Sequence, residues 1–198
     1  MVYRILRPDS TSVWNNKEII KKFSRYKGII DDVKIARYLI AKSVECNYDI
    51  NDPLEKLEVM LKKKSLEFNE LLKLETEELK SRQIHESNYI TLAETIANKY
   101  LENCIFCERC CEVNRTEGEK GVCLIPQDSY VSSAFLHMGE EAPLIPSGTI
   151  FFQGCNFLCV FCQNYDISQA WKKRRNIEDI AQKICWDLKK NGAYRSGN

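Results

Sequence analysis

Apolar residues return at helical spacing through most of the first hundred positions. In "NDPLEKLEVMLKKKSLEFNELLKLETEELKSRQ" (51–83), Leu54, Leu57, Leu61, Phe68, Leu71 and Leu72 recur with Lys and Glu between them, which predicts a charged amphipathic helix or a pair of them. Asn51 or Asp52 is the expected N-cap, with Pro53 in the first turn. Upstream, "DDVKIARYLIAKSVE" places Val33, Ala36, Leu39 and Ile40 on one face after two acidic residues suited to a helix N-terminus. Downstream, "TLAETIANKYLENC" pairs Thr91 as cap with Glu94 three positions on, a capping-box pattern, and delivers the chain into a run of cysteines.

From Cys104 the pattern breaks into short segments rich in Gly, Pro and Ser, such as "TEGEKGVCLIPQDSY" and "GEEAPLIPSG". "GTIFFQG" then gives an apolar, β-branched and aromatic run between glycines, the profile of a fully buried strand in a parallel sheet. A three-cysteine loop hangs from its end. "NIEDIAQKICWDLKKNG" follows, with Asn176 as N-cap, Glu178 and Asp179 in the first turn and Ile177, Ile180, Ile184 and Leu188 on one face. Strand, loop and helix make one unit of an α/β fold. Boundaries fall near 103 and 147: a helical module over 1–103, a cysteine-rich segment and connecting loop over 104–147, and the α/β unit over 148–198.

Charge and composition narrow the partners. A net charge of +1 gives no global attraction to nucleic acid or an anionic membrane, and acidic residues surround "LKKKS". The "KKRR" run at 172–175 reads as a solvated approach to the last helix, or as a contact for an anionic partner. No apolar run nears the roughly 18 residues that span a bilayer, and "MVYRILRPDS" lacks the apolar stretch of a secretory signal, so the expected location is cytoplasmic. Ten cysteines in such a chain point to metal rather than disulfides. Cys46 and Cys185 stand alone, and the rest form two clusters, which implies two sites.

Cys104, Cys107 and Cys111 read CxxCxxxC, with Cys123 as a fourth ligand after the "EVNRTEGEKG" turn. Four thiolates at that spacing suit tetrahedral zinc or an iron–sulfur cluster, and residue type does not separate the two. Cys110 lies within reach as a substitute for Cys111. A structural site here staples the helical half to the α/β half. Cys155, Cys159 and Cys162 read CxxxCxxC: three thiolates that close around a cluster and leave one coordination position unfilled, whereas structural zinc and electron-transfer clusters want four ligands.

At "CNFLCVFC" the chain resembles the radical S-adenosylmethionine (SAM) superfamily, whose signature is CxxxCxΦC with Φ aromatic, here Phe161. With "CERCCEVNRTEGEKGVC" and "HMGEEAPLIPSGTIFFQGCNFLCVFCQNYDISQ", the resemblance narrows to uncharacterised radical SAM proteins akin to the pyruvate formate-lyase activating enzyme, over residues 87–190. It implies a [4Fe–4S] cluster on Cys155, Cys159 and Cys162 with SAM on the fourth iron, reductive cleavage to a 5′-deoxyadenosyl radical, an electron donor, and a substrate that is a protein in the activating enzymes. It places Phe161 near the adenosyl group, with a core aromatic as the alternative, and selects Cys111 over Cys110. His137 matches a family motif and either lines the site or makes a partly buried hydrogen bond. Glu140 and Glu141 stand near it or in solvent, and His85 falls on the surface. No catalytic residue is assigned.

Only residues 163–198 follow Cys162, whereas a (β/α) barrel repeats units of about 30 residues. The expectation is a truncated member carrying the first part of an incomplete barrel, or one completed by a second chain. The alternative function is a non-catalytic metal-binding or interaction protein.

Overall fold

The computed structural model describes residues 3–170. Cys185, "KKRR", the helix expected from Asn176 and the "GAYRSGN" end lie outside the described residues. The first third is a string of short helices: α1 (Tyr3–Leu6), α2 (Asp9–Ser12), α3 (Lys17–Lys22), α4 (Ser24–Ile30) and α5 (Arg37–Lys42). Two longer helices, α6 (Leu54–Leu71) and α8 (Tyr89–Glu102), flank the short α7 (Thr76–Lys80). The 51–83 pattern is therefore a pair, α6 and α7, with Pro53 as the N-cap of α6 itself.

Two helix starts differ from expectation. The segment after Asp31 and Asp32 is not helical until Arg37: Asp31 caps the end of α4, and Asp32 takes a positive φ of 56°, which breaks the turn. Val33 consequently lies exposed instead of on a helix face. The capping box of α8 sits three residues earlier than predicted. Asn88 Oδ1 accepts from the backbone N–H of Ile90 and Thr91, while Thr91 Oγ1 accepts from Asn88 N–H at 2.9 Å. Asn88 holds this place because its segment is anchored: it bridges to Glu45, and Tyr89 N–H donates to Val44 O.

The core lies where α5, α6 and α8 meet. Ile40, Val44, Cys46, Leu57, Leu71, Leu92 and Ile96 are buried together. Full burial of side chains such as Leu57 and Leu92 stabilises by about 1.5–3 kcal/mol each. Cys46 is part of this packing, and burial pushes its thiol up from the ordinary range, leaving it an inert core residue.

The second half holds a two-stranded sheet, β1 (Val131–His137) and β2 (Ser147–Phe152), followed by the one-turn α9 (Tyr165–Ser168). The fold is mixed α/β, but the buried parallel strand expected at "GTIFFQG" is corrected. β2 pairs antiparallel with β1, from Val131 opposite Phe152 to His137 opposite Ser147, and it is only part-buried. Among the described residues there is no barrel. No helix there is long and apolar enough to cross a membrane. The N-terminus closes onto the far end of this hairpin, where the Arg7 guanidinium, paired with Asp9, donates to the carbonyls of Met138 and Glu140.

Candidate metal centres

Helix α8 ends at Glu102, and the chain turns at once into the upstream cysteines. Cys104 makes a two-way backbone ladder with the strand returning from Cys111: Cys104 N–H donates to Val113 O and Glu112 N–H to Cys104 O, both at 3.1 Å. Cys110 and Glu112 adopt positive φ, which folds the knuckle tightly enough to bring Cys111 back. The 3₁₀ turn Arg115–Glu117 is capped by Asn114 and packs against α8, so the knuckle is seated on the helical module.

The interior of this knuckle is a guanidinium among sulfurs. Cys104 is 4% exposed, Cys123 8% and Arg115 6%. Arg115 Nη2 donates to Cys123 Sγ at 3.2 Å, and its charge also acts on the Cys104 thiol. Gly121 adds the third sulfur: a Cβ at that position would meet Cys111 Sγ at 2.9 Å and Arg115 Nη2 at 3.0 Å, so only glycine lets these groups approach. Val122 N–H points to Cys111 Sγ at 3.5 Å. Burial pushes the Cys104 thiol up, but the Arg115 guanidinium and the Phe106 N–H together outweigh it and hold the thiol below its ordinary value. Cys110 is different: it is exposed, with its Sγ turned back to Cys107 O at 3.3 Å.

The downstream loop leaves the C-terminal end of β2. Gly154 has φ +83°, and a Cβ there would strike Ile125, so the strand can exit only through glycine. Cys155, Cys159 and Cys162 follow on one turn, all uncrosslinked and half-buried. Leu158 at φ +53° bends the loop between the first two. Three hydrogen bonds tie the turn to α9: Gln169 Nε2 to Cys159 O at 3.0 Å, Cys162 Sγ with Ser168 Oγ at 3.3 Å, and Gly154 N–H to Ile167 O at 2.9 Å. At the base of the loop Gln153 Oε1 is buried without a hydrogen-bond partner. Phe161 is 86% exposed, which corrects the core-aromatic alternative. Phe157 at 76% and Val160 at 98% stand out beside it. Arg109 Nε reaches Asn156 O at 3.3 Å and joins the two cysteine loops.

Among the described residues, no three or more His, Cys, Asp or Glu side chains are drawn together at a geometry that would hold a metal ion. By their chemistry the donor sets suit thiolate-bound metal: thiols beside an orphaned buried Arg115 Nη1 and a cradle that a Gly121 Cβ would fill upstream, and three uncrosslinked thiols on the loop that follows the orphaned Gln153 oxygen downstream. Cys107 is half-buried.

His137 and Glu140 form a separate pair. Nδ1 lies 3.2 Å from Glu140 Oε1, at ion-pair distance though not aligned as a hydrogen bond, within the turn that Arg7 grips. Glu141 is exposed, and His85 is half-buried rather than on the surface, with its N–H on Lys42 O. Sequence reasoning passed over Arg115, which sits in a polar turn; its one signal is a cation enclosed between paired cysteines.

No family model and no solved structure matches the chain. Over 157 residues it is 41% identical to the uncharacterised protein MJ0674 of Methanocaldococcus jannaschii, a match covering 76% of this chain and 43% of that protein. The chain thus spans less than half the length of the curated relative it matches.

Proposed function

We propose that the chain is part of a radical SAM iron–sulfur protein of the activating-enzyme-like group, with its cluster on Cys155, Cys159 and Cys162. The observation that carries this reading is three uncrosslinked, half-exposed thiols at CxxxCxxC spacing on a single loop leaving the C-terminal end of β2. When bound, the [4Fe–4S] cluster with SAM supplies reductive cleavage of the sulfonium and hydrogen abstraction by a 5′-deoxyadenosyl radical. This chain's residues then hold and frame that group. Three thiolates leave one coordination position open. Gln169 and Ser168 fix the backbone of Cys159 and the sulfur of Cys162, and the exposed Phe161 ring offers an apolar face to an adenine.

In this reading β2 is the first strand of the (β/α) barrel, with β1 added antiparallel on one edge. Cys104, Cys107, Cys111 and Cys123 hold zinc or a second iron–sulfur cluster. An electron donor and a protein substrate are the expected partners, and the free thiols suit a reducing cytoplasm.

The test is anaerobic reconstitution with iron and sulfide, addition of SAM and a strong reductant, and chromatography for 5′-deoxyadenosine. Wild type is expected to form it and Cys159→Ala to lose both product and SAM-binding cluster. A cluster that persists unchanged in Cys159→Ala, or a wild type that takes up metal only at the upstream cysteines and is indifferent to SAM, replaces this reading with that of a non-catalytic metal-binding or interaction protein.

A further inference from the structure

Arg115 presents a physical problem that its neighbours must solve. A guanidinium cannot shed its proton, and burying one without a counter-charge costs several kcal/mol. Yet Arg115 is almost wholly enclosed, none of the ion pairs among the described residues joins it to a carboxylate, and its side-chain hydrogen bond goes to the Cys123 sulfur with Cys111 Sγ in the same space. Negative charge on the sulfurs around it would offset that cost. Thiols become thiolates when they ligate a metal, and four thiolates on a dication leave an excess of two negative charges. The buried cation and the excess anionic charge answer each other.

We propose that Arg115 is the fixed counter-cation of the upstream metal site, donating an N–H···S bond to Cys123, sharing the space of Cys111, and so orienting the ligands and offsetting part of the thiolate charge on a divalent, thiolate-preferring cation. The inference rests on the reading of Cys104, Cys107, Cys111 and Cys123 as that site. Three further observations support it. Gly121 is required for Cys111 and Arg115 to share one space, the 115–117 turn is anchored on α8, and Nη1 remains as a buried donor without a partner, free for another sulfur of the same set. Arg115 acts through the ligands and is a positioning residue. Hydrogen-bonded thiolates are also weaker nucleophiles, so the role suits a site that holds its metal rather than one that reacts through it.

The experiment uses the full chain with Cys155, Cys159 and Cys162 changed to Ala, so that the signal belongs to the upstream site, and Co²⁺ as the probe. Wild-type Arg115 is expected to give thiolate-to-cobalt charge-transfer bands and slow release to EDTA. Arg115→Met, which fills the volume without the charge, should release Co²⁺ roughly 10- to 100-fold faster, with Arg115→Lys between the two. Release from the Met variant within twofold of wild type, or slower than from the Lys variant, overturns the proposal in favour of simple packing. Should the Met variant lose its helical circular dichroism, the bands of Arg115→Lys decide: a shift supports direct contact with sulfur, and an unmoved spectrum rejects it. Absence of charge-transfer bands in the wild-type Arg115 chain removes the metal site itself, a failure distinct from that of the arginine.

Discussion

The two cysteine clusters solve opposite problems. Upstream, the buried Cys104 and Cys123 share a knuckle seated against α8 with the buried cation of Arg115, while Cys107 and Cys111 are half-buried. Downstream, half-exposed sulfurs ride a loop whose neighbours Phe157, Val160 and Phe161 project outward. Structural metal sites are closed and satisfied from within, while sites that take an exogenous ligand keep a position and a surface open. The same residue type thus stands in two settings, and what distinguishes them is the internal charge partner: a buried guanidinium among the upstream sulfurs and none among the downstream ones within the described residues.

The contrast breaks most readily at its joint. Gly154→Ala puts a side chain at positive φ and against Ile125, and should cost roughly 2–5 kcal/mol by chemical denaturation; a midpoint equal to wild type would mean the loops are not packed together as described. Next in size is a difference in reactivity. In the chelator-treated chain, iodoacetamide should modify Cys155, Cys159 and Cys162 on the order of a hundredfold faster than Cys104 and Cys123, equivalent to about 2.8 kcal/mol of local opening. Equal rates by peptide mass spectrometry would erase the distinction between closed and open sites. Gly121→Ala intrudes on the upstream interior alone and should destabilise by about 1–3 kcal/mol, with the iodoacetamide rates of Cys155, Cys159 and Cys162 unchanged at a temperature where the chain is folded. Smallest is Phe161→Ala, whose exposed ring should change stability by less than about 0.5 kcal/mol, so that a larger loss would place the ring in the fold rather than on its surface.

What the sequence disclosed follows from how local each cause is. Leu57, Leu71 and Leu92 announce their helices because the period of burial is the period of the backbone. The start of α8 slipped from Thr91 to Asn88 because both residues can cap, and the choice is made by a bridge to Glu45, far off in sequence. Strand β1 went unseen because Ser132 and Ser133 interrupt its apolar run and an irregularity between Val131 and Ser133 breaks the alternation. Its absence from the reading made β2 look like a parallel strand. Cysteine spacing marked both clusters, since each lies within a short stretch of chain. The burial of Arg115 was not legible, because nothing in "NRTEGEKG" says which of its polar residues turns inward.

The grip of Arg7 on the Met138 and Glu140 carbonyls has a consequence in time. Its partners lie 131 and 133 positions along the chain, so on the ribosome Arg7 is made long before there is anything for it to hold. The α5–α6–α8 core can close while synthesis continues, because its members are near neighbours in sequence. The N-terminal segment waits for the hairpin turn. The entropic cost of so large a loop grows only logarithmically with its length, which makes the contact thermodynamically feasible: a guanidinium can be held by a turn 131 positions away at little more cost than by one much nearer.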